Sequence, residues 1–185
     1  SRPHRLYGSA FQIKNAKTYY EQLLDVGVIV DRDSRLSFIN DLVFNHEVNN
    51  QFRPDMSEQL LNELTDLVES PLLVNGGFDE SFLDLPPEVL STVMKVHQRY
   101  IPLYKLDVEF DPLSLDSRKI LFPGFMCISN GLSSAKKSII LGNEKILKAR
   151  FSDASFFIKS DLLISSSSRI ENLKDVTFSQ GLGTL

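Results

Sequence analysis

The sequence predicts an α+β fold in which a mixed or antiparallel sheet is covered by helices. Segments with helical apolar periodicity and short apolar strands follow one another irregularly, without the strict alternation typical of a parallel sheet. Hydrophobic residues make up 42% of the chain and charged residues 24%, which is ordinary for a globular protein with a core. We therefore expect residues 1–185 to form a single domain, with a helical C-terminal part over 133–185.

The first fifty residues predict two helices. Asn15 is a suitable N-cap for a helix that runs to about residue 25, and a second helix is expected over 31–49. The apolar segment 28–30 between them predicts a short buried strand. The terminal His4 and Arg5 are interpreted as a frayed arm.

A loop and a third helix are predicted next. Residues 51–55 are expected to form the loop. Asp55 and Glu58 then have the spacing of a capping box before a leucine-rich amphipathic segment. Pro71 is expected to end this helix.

The middle of the chain predicts strands joined by a turn and a helix. Strands are expected at 72–74, 100–106 and 125–129. The pair Gly76–Gly77 predicts a turn with positive φ. Pro86–Pro87 is expected to open the helix between the first two strands, because proline is tolerated in a first turn.

The stretch from Gly142 to Phe157 predicts an amphipathic helix that ends near Asp161. Gly142 is expected to mark its start, with Asn143 as N-cap and Glu144 in the first turn. Apolar residues recur about every four positions and include a final pair, Phe156–Phe157. We expect Phe157 to lie in the core and Phe156 to be at least half covered.

Two clusters of cations are candidate RNA-binding sites. The first lies at the end of the helix opened by Pro86–Pro87 and contains Lys95, His97, Gln98 and Arg99. The second lies on the later helix and contains Lys145, Lys148 and Arg150. Cations are favoured at a helix C-terminus and on a solvated helix face, and they also suit phosphate and base-edge contacts, so both interpretations stay open.

Composition and motifs restrict the other function classes. The formal net charge of −4 argues against a strongly basic nucleic-acid clamp, so any RNA contact must come from a local patch. The single cysteine, Cys127, lies in an apolar run and predicts a buried, inert thiol. We see no glycine-rich phosphate loop, catalytic triad, zinc-ligand spacing or apolar run as long as a membrane span, and we predict no catalytic residue, metal site or cofactor in this chain.

The stretch 142–157 resembles a signature of one enzyme family, the beta subunit of bacterial-type, heterotetrameric glycyl-tRNA synthetase. The matching pattern is Gly-Asn-Glu, Ala-Arg, Asp-Ala and Phe-Phe. Further stretches agree in the same order, at 60–71, 82–86, 94–100, and at Phe178 with 182–185. Because the family's subunit is several times longer, the chain resembles an excised middle segment of that subunit, or of the beta-like half of a fused chain.

This resemblance implies a setting for the chain. It implies a fold related to the amino-acid-editing domain of the phenylalanyl-tRNA synthetase beta chain. It implies a parent enzyme that uses ATP and Mg²⁺ to join glycine to tRNA(Gly), with glycine activation in the alpha subunit. The implied partners are tRNA(Gly), the alpha subunit and the remaining beta-subunit domains. Neither a membrane nor DNA is an implied partner. The implied location is a bacterial cytoplasm or an organellar stroma or matrix.

Three functions fit these observations. The chain could be a non-catalytic module that supports tRNA binding and assembly, an editing hydrolase acting on mischarged tRNA, or a plain protein-interaction scaffold. We adopt the first. No proteinogenic amino acid is smaller than glycine, so steric exclusion in the activation site suffices and editing is little needed. We expect an ancestral editing pocket to be filled, with Phe122, Phe125 and Met126 as candidates.

The chain alone is predicted not to activate glycine, because no motif of an ATP site is present. The measurement is glycine-dependent ATP–pyrophosphate exchange with the purified chain, with the complete synthetase as positive control. Exchange by the chain above background would contradict this prediction.

Overall fold

The described residues form a four-stranded antiparallel sheet with helices on both faces, which confirms the predicted α+β class. The computed structural model describes residues 4, 10–13, 15–47, 52–106, 116–170, 177–179 and 183–184. The helices are α1 (Tyr19–Leu24), α2 (Arg32–Glu47), α3 (Glu58–Leu67), α4 (Pro87–Thr92), α5 (Ser117–Ile120), α6 (Lys136–Leu162) and α7 (Ser166–Ile170). The sheet strands are β1 (Phe52–Pro54), β2 (Pro71–Gly77), β3 (Ile101–Lys105) and β4 (Leu121–Asn130), in the order β1-β3-β4-β2.

Shorter elements complete the fold. Two strands, β5 (Thr177–Ser179) and β6 (Gly183–Thr184), pair with each other in antiparallel fashion. A π-helix, Val93–Gln98, continues α4. The remaining segments are the 3-10 turns Ala16–Thr18, Glu80–Asp84 and Ser133–Ala135. The single-domain assignment and the helical part over 133–185 stay predictions.

Strand β4 is buried on both faces and separates two apolar cores. Phe125 and Cys127 point into the core beneath α4, the π-helix and α6. Met126 and Ile128 point into the core beneath α2 and α3. This alternation follows from the period of two along a strand. The continuous apolar run predicted at 125–129 is therefore a central strand, as expected.

Gly76 and Gly77 lie inside β2, so the turn predicted there is wrong. Gly76 is paired across the sheet with Phe125. A Cβ atom at Gly76 would lie 2.5 Å from Cζ of Phe125, closer than any van der Waals contact allows. Glycine is needed here to accommodate an aromatic ring. Among the described residues, the glycine with positive φ is Gly27 (φ 79°), beyond the end of α1.

The first two helices begin where the sequence places them. The Asn15 side chain accepts a hydrogen bond from the Lys17 N–H at 2.9 Å, ahead of α1. Asp31 Oδ2 accepts one from the Ser34 N–H at 2.8 Å, at the start of α2. Both bonds satisfy amide groups that a helix leaves without an internal partner.

Two expectations near the N-terminus are wrong. Residues 28–30 are not a strand, although the Ile29 N–H donates to the Glu69 carbonyl oxygen at 2.9 Å. His4 is fully buried rather than frayed, and Arg5 lies outside the described residues. The Nε2 atom of the His4 ring lies 3.1 Å from Oδ1 of Asn130, and the backbone N–H of His4 donates to the Val26 carbonyl oxygen at 3.2 Å.

Helix α3 begins at a different cap from the one predicted. Ser57 Oγ accepts a hydrogen bond from the Leu60 N–H at 3.2 Å. Asp55 instead forms an ion pair with Lys95. The residues just before Asp55 were predicted to form a loop. Instead Phe52–Pro54 form β1, because they pair with β3. The helix ends at Leu67, before Pro71, as expected.

Helix α6 is one continuous helix of 27 residues, so the predicted start at Gly142 is wrong. Asn143 and Glu144 lie inside the helix and contact neighbouring elements. Asn143 Nδ2 donates to Sγ of Cys127 at 3.0 Å, and Glu144 Oε1 accepts from the Gly77 N–H at 2.9 Å. The helix ends at Leu162, close to the predicted Asp161. No helix in the described part of the chain has the length and apolar character needed to cross a membrane.

The aromatic pair of α6 points away from the core, so the expectations that Phe157 is in the core and that Phe156 is at least half covered are both wrong. The side of α6 that packs inward carries Leu147, Phe151, Ala154 and Ile158. These positions follow the three- and four-residue spacing of one helix face. Adjacent residues lie about 100° apart around a helix, so the next side chains turn outward. Phe156 and Phe157 are 67% and 66% exposed.

We predict that one Phe→Ala variant of α6 loses much stability and that another loses little. Phe151 has no exposed surface and its ring lies 5.1 Å from that of Phe78 and 5.4 Å from that of Phe82. Phe151→Ala should therefore lower the free energy of unfolding by about 3–5 kcal/mol. The matched control Phe157→Ala should lower it by less than about 1 kcal/mol. Urea unfolding of both variants measures this, and equal losses would contradict the assigned helix face.

Candidate functional site

The first cation cluster lies at the end of the π-helix, where the chain reverses. We call Lys95, His97, Gln98 and Arg99 the π-helix surface. Arg99 adopts left-handed backbone angles, φ 55° and ψ 36°. This conformation lets the Tyr100 N–H donate to the Met94 carbonyl oxygen at 2.9 Å, which closes the helix. A left-handed non-glycine residue is uncommon, and π-helical turns are frequent at functional sites.

Both cations of the π-helix surface are paired with carboxylates of other elements. Lys95 Nζ lies 2.5 Å from Oδ2 of Asp55. Arg99 Nε lies 3.2 Å from Oε2 of Glu63 on α3. Lys95, Arg99 and Glu63 line a cavity of about 280 Å³ between α3 and the π-helix. His97 is exposed and Gln98 is half-buried. The structure therefore places the four predicted residues on one surface, but the positive charges of Lys95 and Arg99 are balanced by the carboxylates of Asp55 and Glu63.

The residues behind this surface are buried and uncharged. The Tyr100 ring stacks on Phe125 with centroids 4.6 Å apart. Burial raises the pKa of Tyr100 to about 12. Burial also raises the pKa of the Cys127 thiol to about 11, opposed by the hydrogen bond from Asn143. Cys127 is buried as predicted, and a thiol with this pKa is a poor nucleophile at neutral pH.

The second cation cluster divides into two sides of α6. Lys145 and Lys148 are three residues apart and lie on one side, so we call this pair the α6 basic surface. Arg150 lies two residues beyond Lys148, about 200° around the helix, and points to another side. The structure does not bring Arg150 together with the two lysines.

The α6 basic surface borders a shallow cleft. The cleft has a volume of about 450 Å³ and is lined by Gly77, Phe78, Asp79, Leu141, Glu144, Lys145 and Lys148. Glu144 is engaged with the Gly77 N–H, and hydrogen bonds from Ser81 are the main cause that lowers the pKa of Asp79. The nearby Lys148 charge lowers this pKa further. Within the described ranges, neither Lys145 nor Lys148 forms an ion pair.

The three residues expected to fill an ancestral pocket have different positions. Phe125 and Met126 are buried in the two cores on opposite faces of β4. Phe122 is partly exposed, and its ring packs on Phe52 at 5.1 Å. The loss of an editing pocket stays a prediction.

The expectation that this chain holds neither a metal nor a cofactor stays a prediction. No three His, Cys, Asp or Glu side chains in the described segments come together as a metal-ligand set. The candidate phosphate-binding groups in these segments are individual lysine and arginine side chains. They are not accompanied by a glycine-rich loop at the start of a helix.

Some site residues could not be found by sequence reasoning. Asp55 and Glu63, which pair with the π-helix surface, lie 40 and 36 positions away along the chain from Lys95 and Arg99. Gly77 and Glu144 are 67 positions apart. The charge and spacing of one segment carry no signal for a partner on another element.

Comparison with known proteins places the chain among components of aminoacyl-tRNA synthetases. The family model described as "Glycyl-tRNA synthetase beta subunit" matches residues 1–185. The chain belongs to this family, as the resemblance in the sequence predicted.

Curated relatives agree with this assignment. The chain is 37% identical over 185 residues to a protein of Listeria welshimeri named "Glycine--tRNA ligase beta subunit", a match that covers 100% of this chain and 25% of the relative. Proteins of the same name from Trichodesmium erythraeum and Bacillus subtilis are 39% and 36% identical over 183 and 182 residues, each match covering 98% of this chain and 25% of the relative. The chain thus spans about a quarter of the length of the relatives it matches.

We predict that Arg99→Gly is more stable than Arg99→Ala. Both variants lose the exposed ion pair with Glu63, so they differ mainly in the backbone at a residue with φ 55°. A left-handed conformation strains alanine but not glycine, and the difference in unfolding free energy should be about 1 kcal/mol. Urea unfolding gives this difference, and equal stabilities would show that the left-handed turn is not needed.

Proposed function

We propose that this chain is a non-catalytic module of the glycyl-tRNA synthetase beta subunit that supports tRNA(Gly) binding and assembly during glycine–tRNA ligation. One observation carries the proposal: Lys145 and Lys148 are exposed on one side of α6 and form no ion pair within the described residues. Family membership supplies the context in which these cations would meet RNA.

The chemistry of the α6 basic surface suits a phosphate backbone. Lysine ammonium groups contact phosphate oxygens without reading sequence, so such contacts position a nucleic acid rather than select it. Side chains three residues apart on a helix are neighbours, so both lysines can engage the same strand. The chain as a whole is acidic, with a formal net charge of −4, so the interaction depends on this local pair.

The π-helix surface is a weaker candidate for the same role. A phosphate at Lys95 or Arg99 would have to displace Asp55 or Glu63 from a contact already made. These two cations and two carboxylates carry no net charge together. Exposed ion pairs such as Arg99–Glu63 are weak, usually below about 1 kcal/mol, whereas the Lys95–Asp55 pair is partly buried, so a phosphate would lose more by displacing Asp55.

Catalysis is proposed to lie elsewhere in the parent enzyme. The relatives are named as the beta subunit of a ligase, which implies an alpha subunit as a partner. Under this proposal, glycine activation with ATP and Mg²⁺ belongs to the alpha subunit. The remaining beta-subunit domains contact this module. The place of action is the compartment of translation, a bacterial cytoplasm or an organellar stroma or matrix.

We predict that Lys145→Glu with Lys148→Glu, introduced into the complete synthetase, raises the KM for tRNA(Gly). Glycine-dependent ATP–pyrophosphate exchange should stay near its original rate, because these residues would contact tRNA and not the activation site. Each lost phosphate contact should reduce the slope of log affinity against log salt concentration by about 0.7–0.9. Aminoacylation kinetics and tRNA binding at several salt concentrations measure both effects.

A matched control makes the same charge change away from α6. Lys17 precedes α1 and Arg53 lies on β1, at the sheet edge opposite β2, and both are exposed. Lys17→Glu with Arg53→Glu should leave the tRNA KM and the salt slope unchanged. If the α6 variant behaved like this control, Lys145 and Lys148 would be solvated lysines without an RNA role.

A further inference from the structure

The C-terminal end of α6 exposes apolar side chains that the fold leaves uncovered. Four residues are the most exposed of this group, namely Phe156 at 67%, Phe157 at 66%, Leu162 at 80% and Leu163 at 87%. Ile164 and Ile170, in the connection to α7 and at its end, are also more than half exposed. We call these six residues the α6 apolar end. Contiguous exposed apolar surface on a protein marks an interaction site more often than isolated exposed residues do.

The helix geometry prevents the α6 apolar end from folding back onto the core of the domain. The inward stripe of α6 is occupied by Leu147, Phe151 and Ile158. Phe156 and Leu163 are seven residues apart, so they lie above one another on an outward side. The rings of Phe156 and Phe157 contact each other edge to face, with centroids 5.8 Å apart. The described part of the chain thus leaves these side chains exposed.

We propose that the α6 apolar end is the docking surface for the remaining part of the same beta subunit. The proposal rests on the proposed function, because it names the partner for its assembly role. The matched relatives are about four times as long as this chain, so most of their length is available as an intrachain partner. Covalent connection raises the effective concentration of such a partner, so a small interface suffices.

The size of the surface favours a partner in the same chain over a separate one. A stable interface between separate proteins uses about 20–30 residues on each side. Interfaces between domains of one chain are smaller, down to about 600 Å² in total. Six large apolar side chains match the smaller class.

The charges around the α6 apolar end favour protein over RNA as the partner. Exposed aromatic rings can stack on bases, but RNA-binding platforms combine such rings with a basic groove. Here Asp153, Lys159 and Asp161 flank the rings, and Asp161 is paired with Arg169 at 3.0 Å. Four of the six exposed side chains are aliphatic and offer no stacking face. The apolar end therefore differs in chemistry from the α6 basic surface, on the other half of the helix.

Cysteine labelling of the full-length beta subunit tests this proposal. Phe157→Cys and Leu163→Cys are prepared singly, with Ser37→Cys on the exposed side of α2 as the control. Peptide-level mass spectrometry follows maleimide labelling of the beta subunit without tRNA. Labelling at 157 and 163 should be at least about tenfold slower than at 37, because a docked side chain reacts only when the interface opens.

A second substitution makes the test independent of how each cysteine variant folds. Phe156→Ser in the Leu163→Cys background should raise the labelling rate at 163 at least about tenfold, towards that of Ser37→Cys, because it weakens the docked surface. Ala149→Ser in the same background should leave the rate unchanged.

Several results would overturn the proposal. Equal labelling at 157, 163 and 37 would show an open surface. Protection that requires added alpha subunit would assign the surface to that chain, and protection that grows with protein concentration would assign it to a second copy. None of these readouts involves tRNA, so a negative result here leaves the role of Lys145 and Lys148 to be judged by its own experiment.

Discussion

The packing of the Phe125 ring against Gly76 is the contact on which the rest of the structure depends. The two residues are paired across β2 and β4, and the ring occupies the space of a Cβ atom. Tyr100 stacks on the same ring, and it reaches that position because Arg99 reverses the chain in a left-handed conformation. One residue further along β2, the Gly77 N–H is held by Glu144 of α6. The sheet, the π-helix and the long helix are thus located relative to one aromatic side chain.

The same arrangement explains why the two cation clusters differ. The π-helix ends over α3, whose carboxylate Glu63 faces Arg99. The lysines of α6 face a cleft in which Glu144 is already engaged by a backbone amide. Similar groups of positive residues in the sequence therefore form ion pairs in one place and remain without ion pairs in the other, as far as the described residues show.

Local signals in the sequence predict the helices well. They fail where the role of a residue depends on a contact with an element far away in the sequence. Asn15 and Asp31 cap helices within three residues of themselves, so their roles could be predicted. Gly76 has the character of a turn residue, but its role is set by a ring 49 positions away. Phe157 is wrongly predicted in the core. The spacing of apolar residues does not show which side of the helix faces the core when two aromatic residues are adjacent. Asp55 has capping spacing, yet its carboxylate pairs with Lys95 through a tertiary contact.

Helix α6 also has a mechanical consequence, because it is one stiff rod held against the core along most of its length. At about 1.5 Å per residue, its 27 residues span about 40 Å, and the Glu144–Gly77 contact lies in its first third. The core contacts of Phe151, Ala154 and Ile158 hold the helix further along, to within four residues of Leu162. The basic and apolar parts of its surface are therefore carried on one rigid body, and the distance between them is fixed.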